Sequence, residues 1–364
     1  MFDARGWLTW LLSMAILALL TRNPLYLLLI LLVGQIAGTL CARPAAAFSL
    51  PLARLGIVIL FFSTLFNLLS VHIGSTVLLR LPLSWPVIGG PLTLEAALFG
   101  AVNGLVLLTL LVIFTAFNRI VPPGELVRLA PHALRDLAVV VLIAMTYLPE
   151  TMRQLRRIRE AQAIRGHQLR GLRDWPPLVL PLLIGGLERA MGVAEAMVSR
   201  GYGSTTDNKQ PFRVQLALFL SLCAVFAGWS VSFWYGIAGW TLMGVGTAVI
   251  LLLLHYLGRQ QPTTRYQPRK MTAWNWGLIV TALIPPLLLL WNPEFLQLTS
   301  LSYSPYPTAV VPPLQTHVAL ILLLPLFPAL TVMGRREGKS TAAAAHSPLP
   351  TAASQQKEKT NDFP

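Results

Sequence analysis

Long apolar segments recur along most of this 364-residue chain. A helix needs roughly 20 apolar residues to cross the hydrocarbon core of a bilayer, with a usual range of about 17 to 25. Because a single segment surrounded by lipid can satisfy its backbone polar groups only internally, each such segment is predicted to be a helix. Eight segments approach or reach this length, the first of them marginally: 7–20, 25–41, 52–71, 92–117, 214–234, 237–257, 276–291 and 314–333.

The composition points to the same class of protein. The chain is 55% hydrophobic and only 12% charged, which is too little charge to solvate an ordinary globular surface. We therefore predict an all-α, polytopic membrane protein with about eight transmembrane helices. The net charge of +14 lies in blocks between the apolar segments, so nucleic-acid binding is disfavoured. Cys41 and Cys223 both lie in apolar segments, which excludes a disulfide framework and a cysteine-based metal site.

The basic residues predict the orientation of the chain. If residues 118–213 lie in the cytoplasm and the spans alternate, all 28 Lys and Arg residues except Arg22 and Arg80 fall on the cytoplasmic side. We predict a multi-pass protein of the plasma membrane with both termini in the cytoplasm. The segment 7–20 is followed at once by a second apolar segment, so it is interpreted as a retained first span rather than a signal peptide.

The spans and their connections divide the chain into four predicted parts. Residues 1–117 and 214–333 are membrane helices, 118–213 is a cytoplasmic region, and 334–364 is a disordered cytoplasmic tail rich in Ser, Thr, Ala and Pro. The start of the tail resembles a phosphate-binding loop, but it has three residues between its glycines instead of four and no preceding strand. The chain is therefore predicted to have no ATPase of its own.

The cytoplasmic region contains two predicted amphipathic helices, because apolar residues recur in it at helical spacing. The apolar faces are Met152, Leu155, Ile158 and Ala161 in the first helix and Leu187, Met191, Ala194 and Met197 in the second. Glu188, Arg189 and Glu195 lie off the second face. Two further apolar stretches, 137–148 and 177–187, are too short to span and are expected to form helices that lie along the membrane surface or under the helix bundle.

A short repeat marks the ends of these two helices. The segment 160–166 (EAQAIRG) recurs as 195–201 (EAMVSRG). In each copy the glycine is predicted to end the helix in the left-handed conformation, with the arginine in the last turn. An arginine there can simply complement the helix dipole, which is worth about 0.3 to 1 kcal/mol.

The repeat also has the properties of a docking motif. Residues five apart lie about 140° from each other around a helix, so the Glu of each copy is too far away to pair with the Arg. The residue four positions before each Arg is Ala161 or Ala196, which leaves the guanidinium unshielded. Its planar fork would suit a carboxylate or a carbonyl-rich groove on a second protein.

These segments resemble a known family. RRIREAQAIRG (156–166) and ERAMGVAEAMVSRGYG (188–203), supported by TRNPLYLLL (21–29), GGPLTLEAALFG (89–100) and PPGELVRL (122–129), resemble the transmembrane T component of energy-coupling factor (ECF) transporters. That group includes the cobalt and nickel transporter permeases. The resemblance covers residues 20–234 fairly continuously, and it makes residues 237–333 an extension to the family core.

The resemblance implies which residues form the site. In that family, two cytoplasmic coupling helices each end in an arginine-centred motif that docks into a groove on one of two ATPase subunits. The motif commonly begins with Ala, and Ile and Ser stand there in this chain. The implied docking residues are Ile164, Arg165, Gly166, Ser199, Arg200 and Gly201, and Glu160, Ala161, Glu195 and Ala196 lie on the supporting coupling helices.

The function implied by the resemblance is that of a coupling subunit without enzymatic activity, cofactor or metal. It would pass the ATP-driven motion of two ABC-type ATPase subunits to a separate small membrane subunit that binds a vitamin or a transition-metal ion. The alternative is a self-contained secondary transporter with a large cytoplasmic loop. A membrane-bound synthase or transferase is a weaker third class, because its acidic motifs are missing. The polar residues that the spans offer are Glu95 and His255, each near a span end, and the neutral Gln35, Asn67 and Asn103. Each lone His or Asn among them is interpreted as a packing or interhelical hydrogen-bonding residue rather than a ligand.

Overall fold

The computed structural model describes residues 3–43, 51–80, 90–131, 134–166, 171, 174–202, 212–260, 271–291, 301–306 and 311–333. The elements in chain order are α1 (Ala4–Leu20), α2 (Pro24–Leu40), α3 (Leu52–Ser70), β1 (Val77–Arg80), β2 (Pro91–Thr93), α4 (Leu94–Ile120), α5 (Pro123–Val127), α6 (Arg135–Ile164), α7 (Pro176–Ser199), α8 (Phe212–Ser232), α9 (Gly236–Gln260), α10 (Ala273–Trp291) and α11 (Thr316–Leu323). A 3-10 turn, Leu324–Leu326, and residues 327–333 continue α11 as one helical stretch.

The predicted all-α, polytopic fold class is confirmed. Six helices of the described part are long and apolar enough to cross a membrane, namely α3, α4, α7, α8, α9 and the stretch Thr316–Met333. Helices α1, α2 and α10 are apolar but shorter. All eight predicted spans are therefore helical, and β1 and β2 form one small antiparallel pair between α3 and α4.

The predicted cytoplasmic region differs from expectation in one respect. The apolar stretch 137–148 and the amphipathic segment after it form a single 30-residue helix, α6, and the stretch 177–187 likewise continues into the 24-residue helix α7. The stretch 177–187 alone is too short to cross a bilayer, whereas α7 as a whole has the length and composition of a membrane span. The apolar and the charged half of each helix have different hydrophobic patterns, so the sequence pattern alone does not show that the two halves are continuous.

The chain forms two compact units. The first contains Met1–Pro123 and Arg269–Pro364, and the second contains Gly124–Pro268. In the first unit, α4 packs against α1, α2 and α3, while α10 packs against α1 and α11 packs against α2. In the second unit, α6 pairs with α7, and α8 pairs with α9.

Glycines bring the helices of the first unit into close contact. A Cβ atom added at Gly38 of α2 would lie 2.8 Å from the Cβ of Ala116 on α4. A Cβ added at Gly100 of α4 would lie 2.8 Å from the carbonyl oxygen of Ser63 and 2.9 Å from the Cα of Thr64, both on α3. Apolar helices gain little by leaving lipid for each other, so close backbone approach of this kind supplies the packing energy.

Buried hydrogen bonds connect α10 and the C-terminal stretch to α1. Pro286 of α10 has no N–H, so the carbonyl oxygen of Ala282 loses its helical donor. The buried hydroxyl of Ser13 on α1 donates to that oxygen instead. Nearby, the indole Nε1 of Trp10 donates to the carbonyl oxygen of Pro325 at 2.9 Å. The C-terminal helices therefore satisfy polar groups that α1 would otherwise present to an apolar surrounding.

The loops near α2 continue this connection. The backbone N–H of Arg22 donates to Leu301 at 2.9 Å, and the Asn23 amide donates to the carbonyl of Pro313 at 2.7 Å. The Tyr26 hydroxyl accepts from the Gln315 N–H at 2.8 Å. Residues beyond the predicted family core are thus part of the same folded unit as α1 and α2.

We expect Ser13→Ala to lower stability, because it leaves the Ala282 carbonyl buried without a donor. The expected loss is about 1 kcal/mol. Thr9→Ala is the matched control, because the Thr9 hydroxyl bonds only to the Gly6 carbonyl of its own helix. Thermal unfolding of the detergent-solubilised protein measures the difference. Equal unfolding temperatures for the two variants would contradict the assignment of a stabilising α1–α10 bond.

Glu95 fastens the loop before β1 to the first turn of α4. Its side chain is fully buried, and its Oε1 accepts the backbone N–H groups of Ser75 and Thr76 at 3.2 and 3.0 Å as well as both of their hydroxyls. Gly74, at φ +150°, lies directly over this carboxylate. Glu95 therefore holds the loop and the helix start together through four hydrogen bonds to one carboxylate oxygen.

The second unit contains a tightly packed hairpin of α8 and α9. A Cβ added at Gly228 would lie 2.6 Å from the backbone nitrogen of Met243, and one at Gly239 would lie 2.3 Å from the Cα of Ser232. A Cβ at Gly246 would meet Val225 at 2.8 Å. Small residues on both helices therefore form the contact, as in other pairs of membrane helices.

Candidate functional site

The two repeat-bearing helices, α6 and α7, lie antiparallel. Gln162 near the end of α6 donates to Pro177 at the start of α7, at 3.4 Å. Further along, Gln154 of α6 accepts a hydrogen bond from Arg189 of α7. Pro181 explains the first contact, since its missing N–H leaves the Pro177 carbonyl without a helical donor.

Helix α7 ends at the second repeat in a Schellman motif. Gly201 has φ +78°, and its N–H donates to Val198 at 2.9 Å. The N–H of Tyr202 reaches back to the carbonyl of Met197, also at 2.9 Å. This pair of bonds needs a left-handed residue between them, which glycine adopts without strain. The predicted glycine stop is confirmed for this helix.

Helix α6 ends at the first repeat with a glycine in the same left-handed conformation. Gly166 has φ +81°, and its N–H donates to Ala163 at 3.0 Å. Arg165 is the C-cap residue of α6, as Arg200 is of α7. The predicted glycine stop is confirmed here too, and the two copies of the repeat have equivalent backbone geometry.

Both arginines are exposed at these helix ends. Among the described residues, neither Arg165 nor Arg200 has an ion pair or a hydrogen bond to its guanidinium, and Glu160 and Glu195 do not pair with them. Ala161 and Ala196 are exposed, as is Ser199, and Ile164 is 89% exposed. The geometry thus leaves each motif open to a second protein, which the sequence led us to expect.

The antiparallel arrangement places the two motifs at opposite ends of the pair. Arg165 follows the end of α6, beside the start of α7, whereas Arg200 follows the end of α7. A helix of 24 residues is about 36 Å long at 1.5 Å per residue. The two guanidinium groups are therefore separated by roughly the length of α7, far enough to engage two different protein subunits.

A shallow basic depression lies beside the first motif. It has a volume of about 300 Å³ and is lined by Arg156, Arg159, Glu160 and Ala163. Arg157 is exposed on the same helix but is not among these lining residues. Arg157 is therefore a cleaner reference for a basic residue that does not take part in docking.

Sequence reasoning missed the contact between α6 and α7. It placed Arg189 off the apolar face of its helix, but Arg189 is half-buried against α6. Its guanidinium lies 5.7 Å from the centre of the Tyr147 ring and donates to Gln154. No local pattern could have paired residues 35 positions apart. Within the described residues there is no group of three or more His, Cys, Asp and Glu residues that could hold a metal ion.

Six helices of the described part that are long and apolar enough to cross a membrane define a polytopic membrane protein, and two of its helices end in exposed arginine motifs. Residues 2–212 match the family described as cobalt transport protein, CbiQ. The chain belongs to this family and is a transmembrane T component of the energy-coupling factor type.

Curated relatives support this assignment. The chain is 27% identical over 242 residues to the energy-coupling factor transporter transmembrane protein EcfT of Bacillus selenitireducens, a match that covers 62% of this chain and 88% of the relative. It is 32% identical over 93 residues to EcfT of Staphylococcus aureus, which is 24% of this chain and 34% of that relative. The second match thus spans only about a third of that relative's length.

Proposed function

We propose that this chain couples two ABC-type ATPase subunits to a separate small membrane subunit that binds the substrate. The two arginine-capped ends of α6 and α7 support this proposal most directly. They have the same geometry and lie roughly 36 Å apart by the rise of a helix, so each can bind one of two similar subunits. A partner that bound as one subunit would not require two equivalent docking sites.

The chemistry of each end suits a carboxylate-lined or carbonyl-lined groove. The guanidinium is a planar donor that can form two parallel hydrogen bonds, and no neighbour competes for it among the described residues. The exposed Ile164 beside Arg165 adds an apolar contact. When the ATPase subunits move on ATP binding and hydrolysis, α6 and α7 would be displaced with them.

The transported substrate is proposed to be a vitamin or a transition-metal ion such as cobalt or nickel, bound by the separate membrane subunit. The description of the matched family as cobalt transport protein supports the metal ion, and the vitamin is what the resemblance to energy-coupling factor transporters implies. The described part of this chain offers no metal cluster of its own.

Co-expression with candidate partners tests the proposal. A tag on this chain should capture two ATPase subunits and one small membrane protein. Proteoliposomes of that complex should take up radiolabelled cobalt, nickel or a vitamin only when ATP is present on the side of the membrane that carries the ATPase subunits. A secondary transporter would instead carry its substrate in proteoliposomes of this chain alone. Uptake by the isolated chain without ATP would overturn the coupling function.

We expect α6 and α7 to lie together on the cytoplasmic side, although α7 alone has the composition of a span. In a background with Cys41→Ala and Cys223→Ala, a cysteine at Gly171 and one at Ser204 should both be protected from an impermeant thiol reagent in intact cells. A cysteine at Ser302 should be labelled. The reason is the basic charge of 118–213, which holds half of all Lys and Arg residues.

Permeabilised cells provide the control for this labelling, because every accessible cysteine should then react. If α7 crossed the membrane, the positions 171 and 204 would lie on opposite sides, and only one of the two would be protected. That result would place Arg165 and Arg200 on different sides of the membrane and would contradict ATPase docking at both.

A further inference from the structure

Polar side chains meet where α6 and α7 pack most closely. Tyr147, Gln154 and Arg189 are each half-buried, and the Arg189 guanidinium contacts the other two at once. Gly185 of α7 lies against the end of the Gln154 side chain, so that a Cβ added there would be 2.3 Å from its Nε2. We call Tyr147, Gln154, Gly185 and Arg189 the α6–α7 clasp.

The clasp is a directional contact in the middle of the helix pair, separate from the Gln162–Pro177 hydrogen bond at the end where α6 stops and α7 starts. Large apolar side chains close in sequence to the clasp residues, including Leu148, Leu183 and Leu187, are mostly exposed. Apolar contacts are also non-directional, so they would allow one helix to rotate or slide on the other. A hydrogen bond and a cation–π contact from one guanidinium hold a particular register instead.

Arg189 is half-buried between the two helices and contacts only neutral groups among the described residues, which indicates the role of this contact. Within the described residues, Arg189 has no acidic partner, although Glu188 and Glu150 are close in sequence to the clasp residues. Removing a charge from water has an energetic cost that such neutral contacts only partly offset. The best-attested use of a polar group at a helix contact is to specify register.

We propose that the clasp fixes the position of α7 on α6, so that the two docking ends move as one rigid lever. This proposal rests on the proposed function, in which those ends bind two ATPase subunits. A displacement of Arg165 by one ATPase would then be passed through the clasp to Arg200, and the two ATPases would act on the membrane subunits in concert. Tyr147, Gln154 and Arg189 are positioning residues in this mechanism.

Adjacent glycines provide a matched test. Gly185→Ala adds a methyl group that displaces the flexible end of Gln154 without meeting backbone, whereas a Cβ at Gly186 meets nothing within 4 Å. Spin labels at Arg157→Cys on α6 and Ala194→Cys on α7, in the background without native cysteines, report the distance between the helices. The distance distribution is measured for the chain alone and for its complex with the ATPases, with and without a non-hydrolysable ATP analogue.

The Gly186→Ala variant should keep the single narrow distance of the parent in every state. The Gly185→Ala variant should retain its ATPases but show a shifted or broadened distance, with the largest effect when the analogue is bound. Gln154→Leu combined with Arg189→Met should behave as Gly185→Ala does. Arg153→Met should not, since Arg153 contacts Glu150 and the Pro149 carbonyl, which both belong to its own helix.

An unchanged distance in Gly185→Ala and in the Gln154/Arg189 double variant would overturn the clasp. Loss of the ATPases from Gly185→Ala would also overturn it, because the clasp residues would then contribute to docking rather than to register. The measurement on the chain alone does not depend on ATPase binding, so the clasp and the proposed coupling function can fail separately.

Discussion

Replacing both Arg165 and Arg200 with alanine is expected to remove the ATPase subunits from the purified protein. Each guanidinium is exposed at the end of a helix and unpaired among the described residues, so it is available to a carboxylate of a partner. If each forms such a buried pair, breaking one pair removes about 3 to 5 kcal/mol of binding free energy. An arginine that only complements a helix dipole contributes about 0.3 to 1 kcal/mol.

Co-purification with tagged ATPases, followed by titration of the single variants, separates these two magnitudes. Each single variant should weaken assembly by at least 100-fold, since 1.4 kcal/mol corresponds to about tenfold in affinity. The double variant should still insert into the membrane, because both positions lie at exposed helix ends. Arg157→Ala is the matched control, being an exposed arginine of α6 outside both motifs.

Normal ATPase binding by the double variant would be incompatible with docking through these residues. The repeat would then serve only to end and stabilise the two helices, and its similar sequences would simply produce similar helix ends. A defect confined to one of the single variants would assign docking to that helix only.

Gly100→Leu is expected to prevent stable folding of the first unit. Gly100 is fully enclosed between α4 and α3, where an added Cβ would lie 2.7 Å from the Cβ of Asn67 and 2.8 Å from the carbonyl oxygen of Ser63. Backbone atoms cannot move aside as a flexible side chain can, so the two helices must separate. Overpacking of a well-packed core typically lowers the free energy of unfolding by about 1 to 3 kcal/mol. A whole leucine side chain pressed against backbone is expected to cost an amount at the upper end of that range.

Gly244→Leu is the control for this substitution. Gly244 lies in α9, another apolar helix, but a Cβ added there meets no atom within 4 Å. The yield of monodisperse protein in detergent and its unfolding temperature should both fall sharply for Gly100→Leu and remain near the parent values for Gly244→Leu. Similar behaviour of the two variants would show that α3 and α4 do not pack as closely as the structure indicates.

Much of the local structure was predictable from the sequence. Apolar length is a local property that determines whether a segment can be a membrane helix, and all eight predicted spans are helical. The ends of α6 and α7 were also predictable, because a glycine that follows a helical pattern closes it through its own backbone freedom. Both motifs were therefore located correctly as exposed helix ends, and their role in docking remains a prediction.

Some signals were present in the sequence but were not used. Gly34 and Gly38 are four residues apart in α2, as Gly100 and Gly104 are in α4, and this spacing places each pair on one helix face. The spacing is typical of close helix contacts in membranes. It could have indicated which faces of α2 and α4 touch other helices, although not which helices those are.

The sequence by itself determined the class of protein, the helices and the ends at which its arginines are presented, because each depends on residues within a few helical turns. Only the tertiary structure decided that the Ser13 hydroxyl donates to the Ala282 carbonyl, which Pro286 leaves without a helical donor. The same holds for the hydrogen bond from Arg189 of α7 to Gln154 of α6. These contacts join residues 269 and 35 positions apart. Such pairs are selected by the packing of whole helices against each other, and apolar periodicity specifies a buried face without specifying what covers it.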